Sequence, residues 1–291
     1  MADDARIHPL RQRMIDDMTI RGMAEVTQRN YLRCVRNCCA FARKPPQTLT
    51  FEDVRLFQLP MVHSGVSAAT LNGYAVALRF FFRVTLRQSG ARDLISLVPP
   101  PQRIPTVLTL DETARLLEHA PGLKWRAALS VAYGAGLRAA EVCSLKLIDI
   151  DSAQMLIRVE QGKRHKDRYA KLSPALLALL RQWWRSTKPP VYLFPRRASS
   201  PFVPVTTRSL NRAFHMAKDA AGIDKPASLH TLRHSFATHL LEDRVDIRVI
   251  QALLGHKKLD TSAIYVRVTP RKIQEVEGPY EKLPFTGAPP D

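Results

Sequence analysis

The sequence predicts a mainly α-helical protein with a small β-sheet, built as an N-terminal helical bundle followed by a larger C-terminal domain. Three observations predict it. Apolar residues recur at helical spacing over most of the 291 residues. The period shifts to strand-like alternation in QMLIRVEQGKRHKDRYAKLS, where two β-type runs flank a polar basic turn and predict a hairpin. Between these regimes, LVPPPQRIPTVLT carries a run of prolines from Pro99 to Pro105, a segment that stays extended and donates few backbone hydrogen bonds. The expected boundaries are a helical domain over 1–97, a linker over 98–107, a second domain over 108–285 and a flexible tail over 286–291.

In the first domain, Pro9 opens a helix over 9–20, and Thr27 is the expected cap of a second over 28–43. Thr50 and Asp53 form a capping-box pair for a third. Ser67 caps a fourth, in which Leu71, Tyr74, Leu78, Phe81 and Phe82 make one apolar stripe. The second domain opens at Thr109 and Glu112, a strong capping box. Helices follow to about 119 and over 124–133. Gly134 and Gly136 then make a permissive turn into the helical AAEVCSLKL. After the hairpin, helices are expected over 174–186, 207–221, 230–242 and 246–254, with a short one over 259–266.

Composition limits the function. There are 44 Lys and Arg against 26 Asp and Glu, a net charge of +18 spread over both halves. Such a surface fits a polyanion, above all nucleic acid. No run approaches the apolar length of a membrane span, and the charged N-terminus lacks a secretory core, so the cytoplasm is the expected compartment. Of the four cysteines, Cys34 and Cys38 fall on an apolar helix face with Tyr31, Val35 and Phe41. Paired ligand spacing is missing, so reduced thiols and no metal are expected.

Four segments could carry chemistry. In GLRAAEV, Arg138 follows the glycine turn and can reach an anion or simply pair with Glu141 on the same helix face. In QGKRHKDR, Lys163, Arg164, Lys166 and Arg168 crowd a hairpin tip that can enter a DNA groove or merely be solvated. In HTLRHSFATHL, His230 and Arg233 share a face and read as a phosphate clamp or as a solvated basic helix. In LLGHKKLDTSAIY, Gly255 ends a helix, His256 follows, and Tyr265 reads alone as a half-buried aromatic. Together they form a coherent set. A tyrosine hydroxyl attacks phosphorus only if cations neutralise the non-bridging oxygens and an acid protonates the leaving oxygen. Arg138, Lys163, His230, Arg233, His256 and Tyr265 supply these roles without metal.

These motifs, in this order, resemble the tyrosine recombinase (phage integrase) family, closest to the Xer-type recombinases and integron integrases. The match spans almost the whole second domain, and the first resembles the family's core-binding domain. The resemblance implies a site-specific DNA recombinase whose two domains form a C-shaped clamp on duplex DNA. Tyr265 would form a 3′-phosphotyrosyl link, Arg138 and Arg233 would clamp the scissile phosphate, and Lys163 would protonate the 5′ oxygen. His230 would act as acid/base and His256 would donate to a non-bridging oxygen. Arg164, Lys166 and Arg168 would contact DNA, with Lys166 the alternative acid and Glu141 supporting the arginine helix. A tetramer on two sites, joined through a Holliday junction, would serve integration, excision or transposition with no cofactor, and an accessory or second recombinase is a possible partner. Departures exist. The hairpin is more basic than usual, and the stretch from it to His230 leaves no room for the helical insertion of integron integrases, which favours ordinary duplex sites. A catalytically silent DNA-binding protein and a type IB topoisomerase are the competing readings. The apolar positions Ile273, Val276, Tyr280 and Leu283 suggest a tail that docks on a neighbouring protomer or folds back on its own domain.

Overall fold

The computed structural model describes residues 9–99, 105–160, 167–197, 199–255 and 276–284. The chain divides into two compact units, Met1–Arg103 and Ile104–Asp291. The hairpin tip with Lys163, Arg164 and Lys166, most of the proline run, the helix expected over 259–266 and the tail over 286–291 lie outside the described residues.

The first unit is helical. Helices α1 (Pro9–Ile20), α2 (Glu25–Ala42), α3 (Phe51–His63) and α4 (Ala68–Phe80) are joined by short turns. A π-helical turn, Phe81–Thr85, continues α4, and a short α5 (Ala91–Leu94) follows. Local chemistry sets the starts. The Thr50 hydroxyl accepts from Asp53 N–H while the Asp53 carboxylate accepts from Thr50 N–H, closing the box at α3. Ser67 accepts from Thr70 N–H at α4. The expectation at Thr27 needs correction. Helix α2 opens at Glu25, with an extended Ala24 at its cap position and no side-chain cap. Ala24 instead offers its carbonyl to the N–H groups of both Thr27 and Gln28. The apolar faces meet in a core of Met14, Met18, Val35, Cys38, Val54, Leu78, Phe81, Phe82 and Ile95. Phe41, expected on the buried face of α2, is about half exposed and packs edge-on against Phe57.

The second unit surrounds one almost wholly buried helix. Helix α6 (Leu110–Glu118) starts at the Thr109–Glu112 box, and α7 (Leu123–Gly134) follows. Helix α7 is apolar nearly all round, the pattern of a helix inside a core rather than on its surface, and Ala127, Ala128, Leu129 and Val131 are fully buried. Around it stand α8 (Ala139–Ser144), α9 (Pro174–Thr187), α10 (Thr207–Ala220), α11 (Leu229–Glu242) and α12 (Ile247–Leu254). The expected hairpin is present as β2 (Leu156–Val159) and β3 (Arg168–Lys171), antiparallel with Val159 opposite Arg168. It is extended by the short β1 (Ile150–Asp151). A second hairpin, β4 (Pro195–Arg197) with β5 (Ser200–Pro204), was not expected.

The described part of the C-terminal segment, residues 276–284, packs on its own unit, the second of the two readings. A 3₁₀ turn, Pro279–Lys282, buries Tyr280, whose hydroxyl donates to Ser130 Oγ at 3.0 Å. Gly134 makes room for it, because a Cβ there would lie 3.0 Å from Tyr280 Cβ. Lys282 pairs with Asp243 at 2.8 Å. Val276 and Leu283 pack on the same core, and Ile273 lies outside the described residues.

Candidate active site

The site begins with a backbone turn. Gly136 sits at φ +60°, where L side chains are strained, and a Cβ there would come within 2.7 Å of the Phe236 ring. Only glycine lets the chain leave α7 this tightly. Two residues later Arg138 takes the N-cap position of α8, where N–H groups and the helix dipole already favour an anion. Its side chain is 41% exposed.

Helix α11 supplies the second arginine. Leu232, Phe236 and Leu240 bury one face, and Arg233 enters the interior beside them, 2% exposed. Arg233 Nη1 donates to the Gly136 carbonyl at 2.6 Å, and Nη2 donates to the Leu254 carbonyl. The same side chain thus ties the turn before Arg138 to the end of α12. Gly255 closes α12 in the left-handed region, with its N–H turned back to the carbonyls of Ala252 and Gln251. His256, the next residue, and Tyr265 lie outside the described residues.

Both arginines gather at Glu141. The carboxylate accepts from Arg138 N–H at 2.8 Å and from Arg138 Nη1 at 2.8 Å. Arg233 Nη1 lies 3.8 Å from Oε2. Arg168, expected at the DNA surface, is the correction here. It starts strand β3, is 8% exposed, and gives Nη1 and Nη2 to the two Glu141 oxygens at 2.9 and 2.8 Å. Its Nε donates to the Leu253 carbonyl at 2.9 Å. With each of its three nitrogens bonded inside, it faces the core and not a DNA groove. Strand alternation carried the signal: Arg168 shares its face with the fully buried Ala170, whereas Tyr169 points outward.

The electrostatics follow from burial. Burial pushes the Glu141 carboxyl up, but its bonds to Arg168 and Arg138 outweigh this and hold the pKa at about 2. Burial lowers the Arg233 pKa, and the Arg138 and Arg168 charges lower it further. Three guanidinium groups therefore share one carboxylate, and the cluster carries surplus positive charge ready for an anion. His230 stands at its edge, ring to ring with His234 at 4.5 Å. Burial lowers its pKa below 6.5, helped by His234, Arg233 and Arg138. The site favours the neutral imidazole, the form able to take a proton.

One buried histidine escaped the sequence reading. His239 joins Tyr133 Oη at 2.9 Å and the Leu108 carbonyl at 3.0 Å, bracing α11 against α7 and the start of the unit. Its place on the apolar face of α11, with Phe236 and Leu240 as neighbours, was the available sign. Among the described residues no group of three or more His, Cys, Asp or Glu side chains could hold a metal ion. No described helix is long and apolar enough to cross a membrane. The four cysteines are free, and burial pushes the Cys38 thiol up to about 12.

Comparison with known proteins places this geometry. Residues 106–272 match the phage integrase family, and residues 10–90 match the phage integrase N-terminal SAM-like domain. The integrase/recombinase y4qK of Sinorhizobium fredii is 42% identical over 95% of this chain and 90% of its own. The tyrosine recombinase XerD of Listeria monocytogenes is 31% identical over 88% of this chain and 92% of its own. In fold the chain resembles lambda integrase, solved as a tetramer bound to a Holliday junction. There the TM-score is 0.67 at 20% identity, over 90% of this chain and 80% of that one. By family match and by near full-length identity, the chain belongs to the phage integrase family and is a tyrosine-type site-specific recombinase.

Proposed function

We propose that this recombinase breaks and rejoins duplex DNA with Tyr265 as nucleophile and with Arg138 and Arg233 as the clamp on the scissile phosphate. The Tyr265 oxygen attacks phosphorus, its proton passes to His230, and the bond to the 5′ oxygen breaks as Lys163 protonates it. His256 donates to a non-bridging oxygen. The product is a 3′-phosphotyrosyl ester and a free 5′ hydroxyl. A 5′ hydroxyl from a second site reverses the attack, so the ester energy is kept and no nucleotide is consumed. Arg164 and Lys166 hold the DNA backbone beside the cut, with Lys166 the alternative acid. Four protomers on two duplex sites, working through a Holliday junction as in the lambda integrase complex, complete the exchange.

The observation that carries this reading is the shared carboxylate. Arg138 and Arg233 both reach Glu141, and the cluster keeps more positive than negative charge next to a His230 whose surroundings favour the neutral ring. Positive donors fixed in place before the reaction stabilise charge that develops on phosphoryl oxygens. The test is a nicked suicide duplex. Wild-type protein should yield a protein–DNA adduct that survives denaturation. Tyr265→Phe should bind the duplex as tightly, with affinity falling steeply as salt rises, and yield none. An adduct of equal amount from Tyr265→Phe would sink the assignment.

A further inference from the structure

Glu141 is fully subscribed. A carboxylate offers about four lone-pair sites, and here four hydrogen bonds fill them. On Oε1 sit Arg138 Nη1 at 2.8 Å and Arg168 Nη1 at 2.9 Å. On Oε2 sit Arg138 N–H at 2.8 Å and Arg168 Nη2 at 2.8 Å. The split is unequal. Arg168 takes the paired, fork-to-fork geometry that arginine and carboxylate prefer, whereas the Arg138 side chain gets a single bond. Arg168 is 8% exposed, and the Arg138 side chain is 41% exposed. The buried arginine holds the acid, and the exposed one is left with donors to spare.

We propose that Arg168 is a positioning residue, which occupies Glu141 bidentately so that Arg138 cannot, and thereby keeps the Arg138 guanidinium free for the scissile phosphate. Two physical consequences follow. Without Arg168, one site on each Glu141 oxygen opens beside Arg138. The guanidinium can then close on the carboxylate in its own bidentate pair, turned away from DNA. Charge changes too. Three arginines against one glutamate leave two positive charges, and removal of Arg168 leaves one. The Arg168 Nε bond to the Leu253 carbonyl fixes the guanidinium plane from behind, so the side chain cannot swing out to solvent. Arg168 also opens the strand that returns from the hairpin. The register of that strand and the setting of the clamp are therefore one and the same contact.

The proposal rests on the reading of Arg138 as a phosphate clamp, and the experiment separates the two. Adduct formation on the suicide duplex is timed at saturating DNA, and duplex affinity is measured alongside. Arg138→Ala comes first. It should abolish the adduct, and an undiminished rate would remove the clamp reading and this inference with it. Given that result, Arg168→Met should slow the adduct on the order of 100-fold, the cost of mis-setting one transition-state donor, with duplex affinity little changed. The decisive variant is Arg168→Met with Glu141→Gln. Glutamine cannot hold Arg138 in an ion pair, and the pair of changes restores the two positive charges. We expect the double variant to cleave about tenfold faster than Arg168→Met alone, a coupling of the size that contacting residues show. A double variant no faster than Arg168→Met overturns the proposal, and so does an Arg168→Met whose folded fraction cleaves at the wild-type rate, the result of a role in folding alone. If Arg168→Met does not fold, Arg168→Lys takes its place. Lysine lacks the planar fork that matches both oxygens, so the rate should fall and should recover when Glu141→Gln is added. Lack of recovery there counts equally against it.

Discussion

The two units of the chain bury different things. In Met1–Arg103 the interior is apolar, with Asp53 and Thr85 the described polar residues inside it. The arginines of α2, such as Arg33 and Arg36, stay on the surface. In Ile104–Asp291 the interior holds Arg126, Asp149, Arg168, Arg233 and His239. Burying a guanidinium costs several kcal/mol unless carbonyls and a carboxylate replace its water. The second unit accepts that cost and meets it with Glu141 and the carbonyls of Gly136, Leu253 and Leu254. The difference shows which unit has to hold cations still. A surface arginine reaches a phosphate from many rotamers, which suffices for affinity. A transition state demands donors that do not reorganise.

The comparison breaks if a buried arginine proves as replaceable as an exposed one. Arg233→Ala should slow adduct formation roughly a thousandfold at saturating DNA, the upper end of what one transition-state donor supplies. Arg233→Lys should be nearly as slow, because one ammonium cannot serve both carbonyls and a phosphate. Arg33→Ala on α2 should instead weaken binding and flatten its salt dependence, with the rate on saturating DNA unchanged. A comparable loss of rate from Arg33→Ala would erase the distinction. The reverse experiment sharpens it. Leu78, fully buried in the first unit, should cost about 3 kcal/mol of stability when cut to alanine. Denaturant unfolding would show the loss, yet below the melting range the cleavage rate on saturating DNA should match wild type. A slowed rate would mean that the first unit's core also sets the catalytic geometry.

What the sequence made legible follows the same division. Helix starts at Thr50, Ser67 and Thr109 could be read because a cap is made by residues three apart. Thr27 misled because a threonine before a helix looks like a cap, whereas here the backbone carbonyl of Ala24 does the capping alone. The β4–β5 hairpin was missed because Pro195 and Pro204 dilute its strand signal. The pairing of Arg138 with Glu141 was anticipated from their spacing on one helix face, and it is present. The burial of Arg168 was not anticipated, because a basic run suggests solvent, and its partners Glu141 and Leu253 lie far away along the chain. The cis docking of Tyr280 was one of the two readings that the apolar spacing of the tail left open. Its partners Ser130 and Gly134 come together with it only once α7 is buried.

The mildest test concerns His230, where cation burial becomes a pH effect. Burial lowers its pKa below 6.5, and His234, Arg233 and Arg138 lower it further. The folded state therefore rejects the proton that the unfolded chain would accept. Stability contributed by this site is present above the unfolded value and declines as pH falls through 6.5. For catalysis the sign is the same. A base that stays neutral below 6.5 keeps the acid limb of the cleavage profile below that pH. His234 is the neighbour to remove, since its ring covers His230 at 4.5 Å and it carries no proposed catalytic role. His234→Ala takes away both cover and charge, and both changes raise the His230 pKa. The acid limb should then move to higher pH while the plateau rate at alkaline pH stays put. A limb that stays fixed or moves downward would show that the group titrating in cleavage is not His230, and the proton from Tyr265 would need another acceptor.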